Sequence, residues 1–170
     1  MAGVATLAPL LPRAVVPYLV ITEQRFVESR LFRAGIGADV LHVQAGADVC
    51  RQWYDSLRQL ARPDRGAVAG LTTWIDFLVL RGCLGEAGFR CHYRGEHAPR
   101  AGDGMLTHTV FGDGVLMAML IDAADVWPRV LGAALAAGRG PVAAAAVHAG
   151  CAGVRPPGHM RVVSWLFSPR

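Results

Sequence analysis

The chain has 170 residues and a formal net charge of +4, and all 17 of its basic residues are arginine. Lysine is absent, which excludes a Walker A phosphate loop, Schiff-base chemistry with pyridoxal phosphate or a carbonyl substrate, and a serine–lysine dyad. Asparagine is also absent, so no N-glycosylation acceptor exists. The composition, 53% hydrophobic and 18% charged, suits one compact domain.

Residues 1–14 (MAGVATLAPLLPRA) form a short apolar run ending in small residues. The run has the length of a signal h-region but lacks a positive segment before it. It resembles the tail of a twin-arginine export signal, which would make the protein periplasmic. The other reading is an N-terminal arm on a cytoplasmic protein. Pro9, Pro12, Arg13 and Pro17 interrupt it well short of the roughly 18 apolar residues of a membrane helix.

Residues 15–170 read as a single α/β domain. Val15–Ile21 is a β-rich run. Thr22 then caps a helix over about 23–34, with Phe26, Val27, Leu31 and the stem of Arg30 as its apolar stripe, and Gly35 and Gly37 stop it. Asp39–Gln44 is a second strand. Asp48 caps a helix through about Ala61, with Val49, Trp53, Leu57 and Leu60 on one face. Cys50 falls beside that stripe and is expected to be a buried thiol. Residues 66–71 (GAVAGL) are a strand apolar on both faces, as central parallel strands are. Thr72 or Thr73 caps a third helix, 74–87, apolar nearly all round and expected to pack deeply. Residues 89–94 (FRCHYR) form the fourth strand.

Asp-Gly pairs at 103–104 and 113–114 bracket a run at 105–111, and a second run at 115–121 follows. That pattern predicts an antiparallel hairpin of 105–111 with 115–121. A helix follows over about 122–137, with Pro128 in its first turns. Residues 138–159 read as a long loop, alone or around a short helix at 142–148, and Arg161–Phe167 as a final strand. Three successive strand–helix–strand crossovers then imply a three-layer, mostly parallel open sheet, Rossmann-like or flavodoxin-like, with an added hairpin and C-terminal strand.

Such sheets bind ligands at the carboxyl ends of their strands. That rule selects Thr22 and Arg25 after the first strand, Thr72 and Thr73 after the third, and Arg94, Glu96 and His97 at the end of the fourth and after it. The threonines and arginines suit a small anion. Glu96 beside His97 at a strand terminus suggests acid–base chemistry, although adjacent side chains normally point apart. The loop after the first strand carries no glycine, so no dinucleotide cofactor is expected. The four cysteines show no C-x-x-C pair and the histidines no H-x-H or H-E-x-x-H spacing, so no metal is expected either. No nucleic-acid partner is expected, for want of a basic block or aromatic platform.

The reading is therefore an exported binding or accessory protein that recognises a small anionic ligand, or a partner protein, at its strand ends. Two alternatives stay open. One is a small-substrate enzyme using Glu96 and His97. The other is a structural subunit that buries its third helix or last strand in a larger complex.

Overall fold

The computed structural model describes residues 15–100, 105–111, 114–138, 146–154 and 161–170. The expected N-terminal arm or export signal, 1–14, lies outside the described residues, as do 139–145, most of the predicted short helix. The domain is α/β, built on one mixed sheet of order β2-β1-β3-β7-β4-β5-β6.

β1 (Pro17–Glu23) leads into α1 (Val27–Ile36) and β2 (Leu41–Ala45). β1 extends two residues past its predicted end. Thr22 and Glu23 pair with Gln44 and Ala45 of β2, so Thr22 is a strand residue and not a helix cap. α1 accordingly starts late, and its buried stripe is Glu28, Ser29, Phe32 and Ile36. Val27, expected inside, is exposed.

α2 (Val49–Gln52) runs through a π-helical turn (Trp53–Leu57) into α3 (Arg58–Leu60). Asp48 caps it as predicted, its carboxylate accepting from the Arg51 N–H at 2.9 Å. Val49, Trp53 and Leu57 are buried, whereas Cys50, expected inside, is exposed. One helical position past Val49 is a rotation of about 100°, enough to bring Cys50 out of the stripe.

β3 (Ala67–Thr73) is buried along its whole length. α4 (Trp74–Glu86) follows directly and buries Phe77, Leu80 and Leu84. Its outer side carries Ile75, 72% exposed, and Leu78, 43% exposed. The helix thus packs by one face only, despite being apolar nearly all round. Gly88, at φ +93°, turns the chain out of it. β4 (Phe89–Pro99) is almost twice the length predicted.

The predicted hairpin of 105–111 with 115–121 does not form. β5 (Met105–Phe111) pairs antiparallel with β4, from Arg94 opposite Phe111 to Pro99 opposite Leu106. Residues 115–121 are not its second strand, since they belong to α5 (Gly114–Asp122). Leu116, Met117 and Leu120 are its buried residues. That i, i+1, i+4 spacing is helical, and Leu, Met and Ala favour a helix. A 3-10 turn (Ala124–Val126) precedes α6 (Trp127–Ala136), with Pro128 in its first turn. β6 (Ala146–Val154), read from sequence as loop, pairs with β5.

β7 (Val162–Pro169) enters the centre of the sheet, antiparallel to β3 and to β4. β3 and β4 therefore point the same way, as the crossover requires, but are not neighbours. α1, α5 and α6 cover one face, over a core that includes Val20, Phe32, Leu71, Leu131 and Leu166. α2, α3 and α4 cover the other, with Ile21, Trp53, Phe77, Trp165 and Phe167. The helix after β1 lies on one face, and those after β2 and β3 lie on the opposite one. The chain reverses its direction of travel across the sheet at that point, so constant handedness demands the switch. It places the topological switch point between β1 and β3.

α1 and α6 cross in backbone contact. A Cβ on Gly35 would collide with the Arg129 carbonyl, and one on Gly132 with the Phe32 carbonyl. No helix of the described residues is long and apolar enough to cross a membrane.

Candidate functional site

Three polar groupings occupy the end of the sheet where β1, β2, β3 and β4 terminate, or lie just inside it.

The first sits at the switch point. Glu23 ends β1 with a nearly inaccessible side chain, 4% exposed. Its carboxylate accepts from the Arg25 backbone N–H at 3.1 Å and from the Arg25 guanidinium at 2.9 Å. That guanidinium, outweighing the burial, holds the Glu23 carboxyl below its usual range. On the neighbouring strand Thr73, one of the two predicted candidates, caps α4. Its hydroxyl accepts from the Asp76 N–H at 3.1 Å and lies 2.7 Å from the Asp76 carboxylate, to which it donates. Arg25 is raised above its ordinary value by Glu23 first, with Asp76 contributing. The predicted ligand arginine is thus already engaged by a buried acid. Thr72 is also committed: it is buried, accepts from the Trp165 indole N–H at 3.0 Å and donates to the Thr73 carbonyl.

The second is a cleft of about 110 Å³ at the ends of β1 and β2 beside α1, lined by Thr22, Gln24, Ser29, Arg30, Arg33, His42 and Gln44. Its lining holds two arginines and no carboxylate. Arg30 and Arg33 are exposed and three residues apart, hence neighbours on one helix face. Neither forms an ion pair among the described residues. Thr22 Oγ1 and His42 Nε2 lie 2.6 Å apart. Burial, with Arg33 adding to it, lowers the His42 pKa below 6.5 and favours the neutral ring.

The third runs through the sheet itself. Tyr93, Gly95 and His97 alternate onto the face under α6, where His108 of β5 and Ser164 of β7 join them. His97 Nε2 lies 2.7 Å from Ser164 Oγ, and His97 Nδ1 lies 2.7 Å from His108 Nδ1. Tyr93 Oη is 3.1 Å from the same Ser164 oxygen. The Trp127 indole covers His97 at 4.1 Å between ring centroids, inclined by 31°. All four polar side chains are buried. Burial pushes the Tyr93 phenol far up, so it stays a hydrogen-bond donor. Gly95 creates the room: a Cβ there would stand 2.7 Å from Ser164 Oγ and closer still to Tyr93 Oη.

Glu96 and His97 do not meet. His97 faces α6, while Glu96 lies on the opposite face with Arg94 and Arg161, each 3.7 Å from its carboxylate. A Ser–His contact such as Ser164–His97 has the form of an activated nucleophile. Here both partners are sealed in the core, so it holds three strands and a helix together.

Of the residues selected from sequence, Thr22 lines the basic cleft, Arg25 and Thr73 stand at the switch point, and Thr72 and His97 are internal. Arg94 and Glu96 lie on the face of β4 away from α6. Sequence reading missed Arg30, Arg33 and His42. The signal was available in the i, i+3 arginines of a helix leaving a strand end, beside a histidine two residues into the next strand. Among the described residues, no three His, Cys, Asp or Glu side chains converge as metal ligands. Comparison with family models, with curated proteins and with solved structures finds no match for this chain.

Proposed function

We propose that the protein binds a small anion, of the size of phosphate or a short carboxylate, in the cleft where β1 and β2 end. The observation that carries this reading is the pair Arg30 and Arg33. Two guanidiniums with no acidic partner among the described residues flank a cleft that also offers Thr22, Gln24, His42 and Gln44 as hydrogen-bonding groups and has no carboxylate in its described lining. An anion between two unpaired arginines gains charge-assisted hydrogen bonds without having to displace an existing ion pair. The half-sheet β2-β1-β3 has the flavodoxin-like strand order, and the cleft lies at its carboxyl rim, one strand away from the switch point between β1 and β3.

The acid–base reading has no comparable support, because Glu96 and His97 occupy opposite faces. The subunit reading draws only on the exposed Ile75 and Leu78 of α4, since β7 is buried within its own sheet.

Calorimetric titration with inorganic phosphate and pyrophosphate at low ionic strength tests the proposal. Saturable binding is expected, weakened by about tenfold or more in an Arg30→Gln/Arg33→Gln double variant. Equal affinity in wild type and double variant would overturn it.

A further inference from the structure

We propose a second ligand site, for a small aromatic carboxylate, in the cleft where β4 bulges against α4. The register of β4 on β7 jumps between Cys91 and Tyr93, leaving His92 as the extra residue. Bulges re-aim side chains and recur beside binding sites. This one opens a cleft of about 260 Å³ lined by Phe77, Arg81, Cys91, His92, Arg94 and Phe111, together with part of Tyr93. It shares no residue with the cleft at the ends of β1 and β2.

The chemistry of the lining selects the ligand. Phe77 and Phe111 supply aromatic walls. Arg81 and Arg94 supply positive charge, since His92 is held toward its neutral form, first by burial and then by Arg90. No carboxylate lines the space. Arg94 is the decisive group. Its guanidinium carbon lies 3.9 Å from the Phe111 ring centroid and 5.7 Å from that of Trp74. The aromatic contacts orient the fork, which is ion-paired to Glu96 but donates no hydrogen bond among the described residues. Its Nε is buried and makes no hydrogen bond. The nearest acid, Glu96, is 3.7 Å away, longer than a hydrogen bond. The terminal N–H groups of the fork, one of which reaches Glu96 only at 3.7 Å, are the ones a ligand carboxylate would engage. A planar carboxylate matches the fork of a fixed guanidinium, and an attached ring matches the phenylalanine walls. A bare phosphate would use the charge and waste the walls.

Benzoate is the probe, with acetate and inorganic phosphate as controls, followed by amide NMR of the full chain. Benzoate is expected to shift Cys91, His92, Arg94 and Phe111 saturably, and acetate to bind distinctly more weakly. Arg94→Gln is expected to weaken benzoate by about tenfold or more. The Arg30→Gln/Arg33→Gln variant should leave it unchanged, so the two sites succeed or fail separately. If Arg94→Gln does not fold, Arg81→Gln on the exposed side of α4 carries the test, with a loss of about twofold to fivefold. The proposal is overturned if benzoate shifts map elsewhere, if acetate matches benzoate, or if the folded arginine variants bind as the wild type does.

Discussion

His97 Nδ1 stands 2.7 Å from His108 Nδ1, on residues directly paired across β4 and β5. One nitrogen must donate and the other accept, so the two rings cannot both carry a proton there. The hydrogen bond thereby sets a polarity for the group. If His97 donates to His108, its Nε2 accepts from Ser164, and Ser164 accepts from Tyr93. The strands β4, β5 and β7 are joined through side chains as well as through their ladders, with Trp127 clamping α6 onto the junction.

Ser164 is the branch point, so its loss should cost most. Ser164→Ala leaves the Tyr93 hydroxyl and His97 Nε2 without their shared partner in a buried place. A destabilisation of about 1–3 kcal/mol is expected by chemical denaturation. Tyr93→Phe removes a donor but leaves Ser164 its bond to His97, so a smaller loss is expected. The double variant should be less destabilised than the sum of the singles, because both act on one network. Strict additivity would mean that the hydroxyls are not coupled.

Gly95 should tolerate no side chain. The Cβ of Gly95→Ala would intrude on Tyr93 Oη and Ser164 Oγ, and overpacking of this kind costs about 1–3 kcal/mol. Gly132→Ala should be comparably harmful by forcing α6 off α1. Denaturation midpoints check both, and a neutral effect at either position would contradict the close approach.

Stability should fall with acid in two stages. The His42 and His92 pKa values are both lowered in the fold from 6.5, chiefly by burial. The unfolded chain therefore binds protons that the folded chain refuses. This contribution is fully present above about pH 6.5 and fades as pH falls through the folded values. The Glu23 carboxyl is lowered from 4.5 by Arg25. Its contribution is present above about pH 4.5 and is lost as pH drops through the folded value. Unfolding free energy measured against pH should show both steps. His42→Gln should flatten the upper one and Arg25→Gln the lower one.

Much of this architecture could be read from the residues, and the failures have physical causes. The first three strands, the Asp48 cap, the Thr73 cap and the Gly88 stop follow from local patterns that the tertiary structure leaves intact. The position of β7 does not: a run of apolar residues at 162–167 signals a buried strand but carries no record of which strands it separates. The segment 115–121 misleads because two Asp-Gly pairs promise a hairpin while its Leu, Met and Ala content favours a helix. Only the first Asp-Gly lies between strands that pair. For the site, strand alternation alone separates Glu96 from His97. Bringing Arg30, Arg33 and His42 together required knowing that α1 packs back beside the ends of β1 and β2.

The most direct test of anion binding at the β1/β2 cleft is the pKa of His42, followed through its imidazole resonances with and without inorganic phosphate. An anion held beside the ring favours its charged form. The His42 pKa should lie below 6.5 in the free protein and rise as phosphate saturates, with the rise lost in the Arg30→Gln/Arg33→Gln variant. A His42 titration unmoved by phosphate, or moved equally in the variant, would contradict the account.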